Sequence, residues 1–285
     1  MKKLLVRTLT GICFVAVVVL SVLFGDKVIL GGTSLISNVF LIFTCIALYE
    51  YRSALRETVD LGVLFWVVAV GIYVVLSCFF PLGGLEIGNW FCLLFLLSAF
   101  CLLLLLPLAA LFQRQQMMES VAWMFYGIFW IVVPFSMLNI YYNEFRFDVG
   151  KYLLLAFFIL VWANDTFAYC AGSLIGKHPF FERISPKKTW EGTVGGGLLT
   201  LVAACFFPLI FPSISMNRLE WIVFALLIVL FGTLGDLVES MFKRHTGVKD
   251  SGGILPGHGG VLDRFDSTLM ALPFVTLYLL IIYKP

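Results

Sequence analysis

Between Asp236 and Ser267 the chain reads DLVESMFKRHTGVKDSGGILPGHGGVLDRFDS, a stretch dense in groups that handle phosphate. Asp236, Asp263 and Asp266 offer hard oxygen donors of the kind a divalent cation takes. Asp263 and Asp266 stand three apart, so one helical turn would point both the same way. Lys243, Arg244, Lys249 and Arg264 can pair with phosphate oxygens, the arginines bidentately. Gly252, Gly253, Gly257, Gly259 and Gly260 permit close backbone approach and positive φ, and their exposed N–H groups could cradle a phosphate. Metal, bases and a glycine-rich turn together form the kit for phosphoryl or nucleotidyl transfer. The metal draws charge from the attacked phosphate and the leaving pyrophosphate, and the bases stabilise the nonbridging oxygens. No covalent nucleophile is needed if the second substrate is itself a phosphate. His258, set between glycines, is a candidate for substrate contact or proton transfer. His178 and His245 read as surface residues at the membrane edge.

Three carboxylates fall inside apolar stretches: Asp165 in WANDTFAY, and Asp236 with Glu239 in a later run. An ionised carboxylate at the centre of a spanning helix costs about 2.5–3.5 kcal/mol. Asp236 and Glu239 are three apart and share a helix face with Ser240. Such acids either lock helices together or line a polar cavity. Their grouping beside two charge-rich loops favours a cavity that holds a hard cation.

The elements that must position these groups are membrane helices. Of 285 residues, 61% are hydrophobic and 13% charged, against about 25% charge in a soluble domain. A span needs roughly 20 apolar residues. Candidates lie near 8–25, 33–50, 61–80, 90–112, 121–142, 151–172, 193–213, 219–241 and 267–283. With the N-terminus in the cytoplasm, fourteen of the 19 Lys and Arg residues fall on inside segments and five outside, as the positive-inside rule requires. The expectation is an all-α polytopic membrane protein of about nine helices. Residues 1–150 read as a scaffold of about five helices. Residues 151–285 read as a catalytic region of about four helices and two long cytoplasmic loops, near 173–192 and 242–266. The basic N-terminus reads as a retained first helix, since no small-x-small cleavage site follows it. The seven cysteines lie in apolar runs without a CxxC pair, which argues against disulfides or zinc. A net charge of +2 is too small to suggest nucleic-acid binding, and no nucleic-acid partner is expected.

The pattern S-x-F-K-R-x4-K-D-x-G-x2-L-P-x-H-G-G-V-x-D-R-F-D, from Ser240 to Asp266, resembles the signature of the phosphatidate cytidylyltransferase (CDP-diacylglycerol synthase) family. The upstream run NDTFAYCAGSLIGKHPFFERISPKKTWEGTVGGG, 164–197, is similar to the family's second shared block. The likeness covers about residues 160–270. It implies transfer of the cytidylyl group of CTP to phosphatidic acid, giving CDP-diacylglycerol and pyrophosphate. It further implies Mg2+, a second, monovalent cation such as K+, and a homodimer with a polar funnel open to cytoplasm and lipid. By matching positions, metal falls first to Asp236 and Asp263, with Asp266 and Asp250 behind them. Lys243, Arg244 and Arg264 fall to phosphate, as do Ser185, Lys187, Lys188 and Thr189. Lys249, Gly259 and Gly260 join the substrate-binding set. Glu191, Asp165 and Glu239 are acids of the second rank. A compact chain of this kind is expected in a bacterial inner membrane with its site facing the cytoplasm. The alternatives are a CTP-dependent lipid kinase, which would move a terminal phosphate to an alcohol, and a transporter whose acids bind a coupling ion.

Overall fold

The computed structural model describes residues 2–27, 34–55, 63–79, 117–143, 145, 147–257 and 259–283. The chain divides into two compact units. One is Met1–Glu144 with Ser251–Leu262; the other is Phe145–Asp250 with Asp263–Pro285. Six helices are long and apolar enough to cross a membrane: Leu5–Leu23, Leu35–Ala54, Glu119–Tyr142, Val149–Ile175, Arg218–Thr246 and Leu262–Ile282. A shorter apolar helix covers Phe65–Val74. The expected span near 90–112 lies outside the described residues.

In the first unit, α1 (Lys2–Leu23), α2 (Leu35–Ala54) and α3 (Val63–Phe79) precede α4 (Met117–Gly127). A π-helical turn, Ile128–Val132, joins α4 to α5 (Val133–Met137), and α6 (Ile140–Asn143) follows. Pro134 explains the wide turn. It has no N–H to give to the carbonyl four residues back, so the hydrogen-bond ladder opens there. Buried side chains make the interhelical polar contacts that lipid cannot supply. Tyr51 donates to the Trp123 carbonyl at 2.7 Å, Tyr73 to the Ser37 carbonyl at 2.9 Å, and Asn139 to Ser77 Oγ at 3.0 Å. Tyr142 donates to the Val22 carbonyl.

The second unit contains α7 (Phe147–Ile175), a hairpin of β1 (Pro179–Phe181) and β2 (Ser185–Thr189), α8 (Trp190–Ala204), α9 (Phe207–Ile210), α10 (Arg218–Thr246) and α11 (Leu262–Ile282, which enters this unit at Asp263). Two differences from expectation stand out. The loop after α7 is an antiparallel β-hairpin, pairing Pro179 with Thr189 and Phe181 with Ser185. The helix expected over 193–213 ends at Ala204 and resumes briefly as α9. Pro208 cannot donate to the Ala204 carbonyl, so the ladder stops there. By contrast, α10 is closed at both ends. Asn217 and Glu220 form a reciprocal capping box, and Gly247 ends the helix at φ 71° behind Lys243, Arg244 and His245. Negative charge at the start and positive charge at the end both suit the helix dipole.

Candidate active site

Small residues determine how closely α7 and α8 approach. A Cβ on Gly192 would come within 2.9 Å of the Ala168 carbonyl and of Gly172 Cα; one on Gly196 would meet Ala168 Cα at 2.5 Å. One turn further on, Thr200 Oγ1 lies 3.5 Å from Asn164 Oδ1. The pairs 172/192, 168/196 and 164/200 step by four in opposite senses, which is the register of two antiparallel helices packed through small residues. Ala168, Gly172 and Gly192 therefore form a wall that lies close to backbone.

The hairpin sits at the end of this pair. Thr189 caps α8 by accepting from Gly192 N at 3.1 Å. Glu191 clamps the hairpin's entry: it accepts from Lys177 N at 3.1 Å and His178 N at 3.2 Å, and meets His178 Nδ1 at 2.5 Å. The His178 contact and those backbone N–H groups hold the Glu191 carboxyl down at about 2, below its ordinary 4.5. Arg244, in the last turn of α10, donates to the Ile184 carbonyl at 3.3 Å.

A cavity of about 440 Å³ opens here. Lys187, Lys188 and Thr189 line it from the hairpin, Gly192 and Thr193 from the start of α8, Asp165 and Tyr169 from α7, Thr233 and Asp236 from α10, and Ser267 from α11. Lys188 Nζ lies 2.5 Å from Asp236 Oδ2. Asp165 feels the charges of Asp236, Lys188 and Arg264, and Asp266 those of Asp236 and Asp165. A second group lies alongside. Lys243 Nζ pairs with Glu239 Oε2 at 2.5 Å and with Asp263 Oδ1 at 3.0 Å. Glu239 also interacts with Asp263 and Asp266, so Asp266 feels the charges of both groups. Glu239 Oε1 is buried with no hydrogen-bond partner among the described residues.

The donor chemistry suits a hard cation. Carboxylates are grouped, one buried carboxylate oxygen lacks a hydrogen-bond partner among the described residues, and lysine ammoniums already stand against three of the acids. Among the described residues no three His, Cys, Asp or Glu side chains converge as a ready-made cage. Mg2+ takes one or two protein carboxylates and leaves its other positions to water and substrate phosphates, a demand these acids are of the type to meet.

Not every expected residue joins this cavity. Asp236, Lys187, Lys188 and Thr189 line it, and so does Asp165, ranked second from sequence. Ser185 is instead held in the sheet opposite Phe181, and Lys249 and Asp250 are exposed past the end of α10. Lys243 pairs with two acids, and Arg244 braces the hairpin. His258 lies outside the described residues. Gly259 and Gly260 belong to the first unit, in a turn closed by Leu255 N donating to the Gly259 carbonyl at 3.0 Å, with φ 76° at Gly257 and 81° at Gly259. There the N–H groups of Val261 and Leu262 donate to Glu50 at 3.0 and 2.9 Å. Sequence reasoning missed Glu50 because it stands where an apolar span gives way to polar residues, a place where an acid attracts no notice. Tyr169 and Thr193 were also missed, although the four-residue spacing of small residues in 164–197 was a signal for the face they flank.

A sequence profile of the cytidylyltransferase family matches residues 5–282. The chain is 34% identical over 276 residues to a phosphatidate cytidylyltransferase of Staphylococcus haemolyticus, covering 96% of this chain and 98% of that one. It is 38% identical over 231 residues to the protein of the same name from Staphylococcus saprophyticus, covering 80% and 85%. Against that of Staphylococcus aureus strain COL it is 49% identical over 142 residues, covering 49% and 53%. A likeness that runs from the first helix to the last is one of whole proteins rather than of a single loop, and the chain belongs to the cytidylyltransferase family.

Proposed function

We propose that this protein transfers the cytidylyl group of CTP to phosphatidic acid, forming CDP-diacylglycerol and pyrophosphate. The observation that carries the reading is the cavity where Lys187, Lys188 and the α8 N-terminus face Asp165 and Asp236. Helix N-termini and lysines attract phosphates, and the acids supply the seat for a cation. A phosphatidate oxygen attacks the α-phosphorus of CTP. The bond from that phosphorus to the bridging oxygen breaks, and pyrophosphate leaves with the electron pair.

Asp236 and Asp263 would hold Mg2+, with Asp266 behind them and Asp165 across the cavity; Asp250, exposed past the end of α10, stands apart from this set. Bound there, the ion would withdraw charge from the attacked phosphate and the leaving pyrophosphate. The reading also includes a monovalent cation such as K+. Lys187 and Lys188 hold and orient phosphate oxygens, and Lys188 exchanges its Asp236 partner for substrate. Lys243 keeps Glu239 and Asp263 together, and Arg244 and Arg264 contribute positive charge at the cavity's edge. Residues 1–150 serve as scaffold and 151–285 carry the chemistry. The full architecture is nine spans, N-terminus inside, in a homodimer. It resides in a bacterial inner membrane with the site open to cytoplasm and lipid.

The test is product formation by purified protein in detergent micelles, with phosphatidic acid, Mg2+ and CTP labelled at its α-phosphate. Label should appear in the lipid fraction and vanish with EDTA or in Asp263→Asn. Transfer from γ-labelled CTP to an isoprenoid alcohol, without α-label in lipid, would favour the kinase.

A further inference from the structure

Glu50 is buried, with 1% of its surface exposed, and it takes no part in the chemistry described above. Its two oxygens accept from the amides of Val261 (3.0 Å) and Leu262 (2.9 Å), and the Ser251 hydroxyl lies 3.4 Å from Oε2. One α2 carboxylate thus joins both ends of the glycine-rich turn, more than 200 residues away in sequence. Two glycines of that turn are accounted for by the same side chain. The three atoms nearest a Cβ on Gly252 would all belong to Glu50, and a Cβ on Gly260 would meet Glu50 and Ser251 Oγ. The neighbouring Tyr51 is fully buried and bonded to the Trp123 carbonyl, so the carboxylate projects from an anchored helix. A buried acid that accepts backbone N–H groups forms charge-assisted bonds, stronger than neutral ones. Leu262 is the first residue of α11, and Asp263 follows it directly in the chain.

We propose that Glu50 is a positioning residue. It fixes the conformation of Ser251–Leu262, and thereby the entry of the chain into the helix that begins Leu262-Asp263-Arg264. Where activity is the readout, this rests on the function proposed above; the exchange measurement below does not.

The test uses full-length protein in micelles and the variants Glu50→Gln, Glu50→Ala, Gly252→Ala and the double variant Glu50→Ala/Gly252→Ala. Hydrogen exchange should show protection lost at residues 251–262 in Glu50→Gln and Glu50→Ala, with α7 and α10 as protected as in the parent. In those variants kcat for cytidylyl transfer should fall about tenfold or more, because the amides lose a charged acceptor. Gly252→Ala alone should be impaired because its Cβ collides with Glu50. In the Glu50→Ala background it should add little, since the colliding atoms are gone. Unchanged exchange at 251–262 in Glu50→Ala would overturn the proposal, as would additive effects of the two substitutions. Loss of protection throughout the molecule in both Glu50 variants would make Glu50 a general core residue and overturn it equally. Local loss of protection in a protein that never transfers cytidylyl would leave the positioning role standing and sink the proposed reaction instead.

Discussion

Lys188 and Asp236 form the ion pair that opens onto the cavity. Both are part-exposed, at 27% and 30% of the side chain, so water screens them and the pair contributes little to folding. Its value lies in readiness: each partner can turn to a substrate or an ion. Asp236→Asn and Lys188→Ala should therefore each lower kcat/KM by about 100-fold or more, the scale seen when a group stabilising charge in the transition state is lost. The melting temperature should hardly move. Activity assays and thermal unfolding on the same preparations check this; a large fall in melting temperature with activity retained would reverse the assignment. The acids could be read from sequence because an ionised group in an apolar run is costly wherever the chain places it. Their partners could not. Nothing local in SPKKT says that Lys188 rather than Lys187 reaches Asp236, because that choice depends on the hairpin's register. Nor does Lys243, a phosphate binder by type, reveal that Glu239 and Asp263 claim it.

At the scale of elements, the α7–α8 contact and the hairpin clamp each carry a test. Gly196 lies against Ala168 with no room for a side chain. Gly196→Leu should force the helices apart and destabilise the protein by about 1–3 kcal/mol or more, with loss of the cavity wall and of activity. Gly195 is more forgiving: its Cβ would meet only Ala171 Cβ, at 3.1 Å, so Gly195→Ala should lower the melting temperature less. Equal losses at the two positions would count against the packing register. The Glu191 clamp carries a pH signature. Its carboxyl is held down at about 2 from 4.5 by His178 and backbone N–H groups. A depressed carboxyl stabilises fully above its unfolded value and loses that contribution as pH falls through the folded one. Parent and Glu191→Gln should thus differ in melting temperature at pH 6 and converge as pH drops from about 4.5 toward 2. A gap independent of pH would show that the clamp does not act through its charge. Length and hydropathy made the long helices legible in the sequence. The hairpin was not, because its strands are too short and too polar for a two-residue period to show. The break after Ala204 turned on Pro208, which a hydropathy window averages away.

The route of the second unit fixes one feature of the whole molecule. α7 and α10 have 29 residues each, roughly 43 Å at 1.5 Å per residue, against a hydrocarbon core of about 30 Å. Asp165 and Asp236 each lie within about three turns of the C-terminal end of their helix. Both line one cavity, so the two helices finish on the same side. Between them the chain must return from the hairpin to Arg218, the far end of α10. α8 covers only about 22 Å of that distance with its 15 residues, less than a full span. The segment 205–217, with α9 inside it, has to supply the remainder. If α7 and α10 both span, the stretch from Thr193 to Asn217 has to cross with them, though no single helix in it is long enough to be recognised as a span. With the seven native cysteines replaced, a cysteine at Glu182 in the hairpin turn and one at Ser213 before α10 should lie on opposite faces of the membrane. Both positions are exposed. In intact cells a membrane-impermeant maleimide should label Ser213→Cys and spare Glu182→Cys, which becomes reactive only after the membrane is opened. Labelling of both in intact cells, or of Glu182→Cys alone, would break the cytoplasmic placement of the site. Protection of both until lysis would mean that α8 and α9 turn back without crossing, and nine spans would no longer fit.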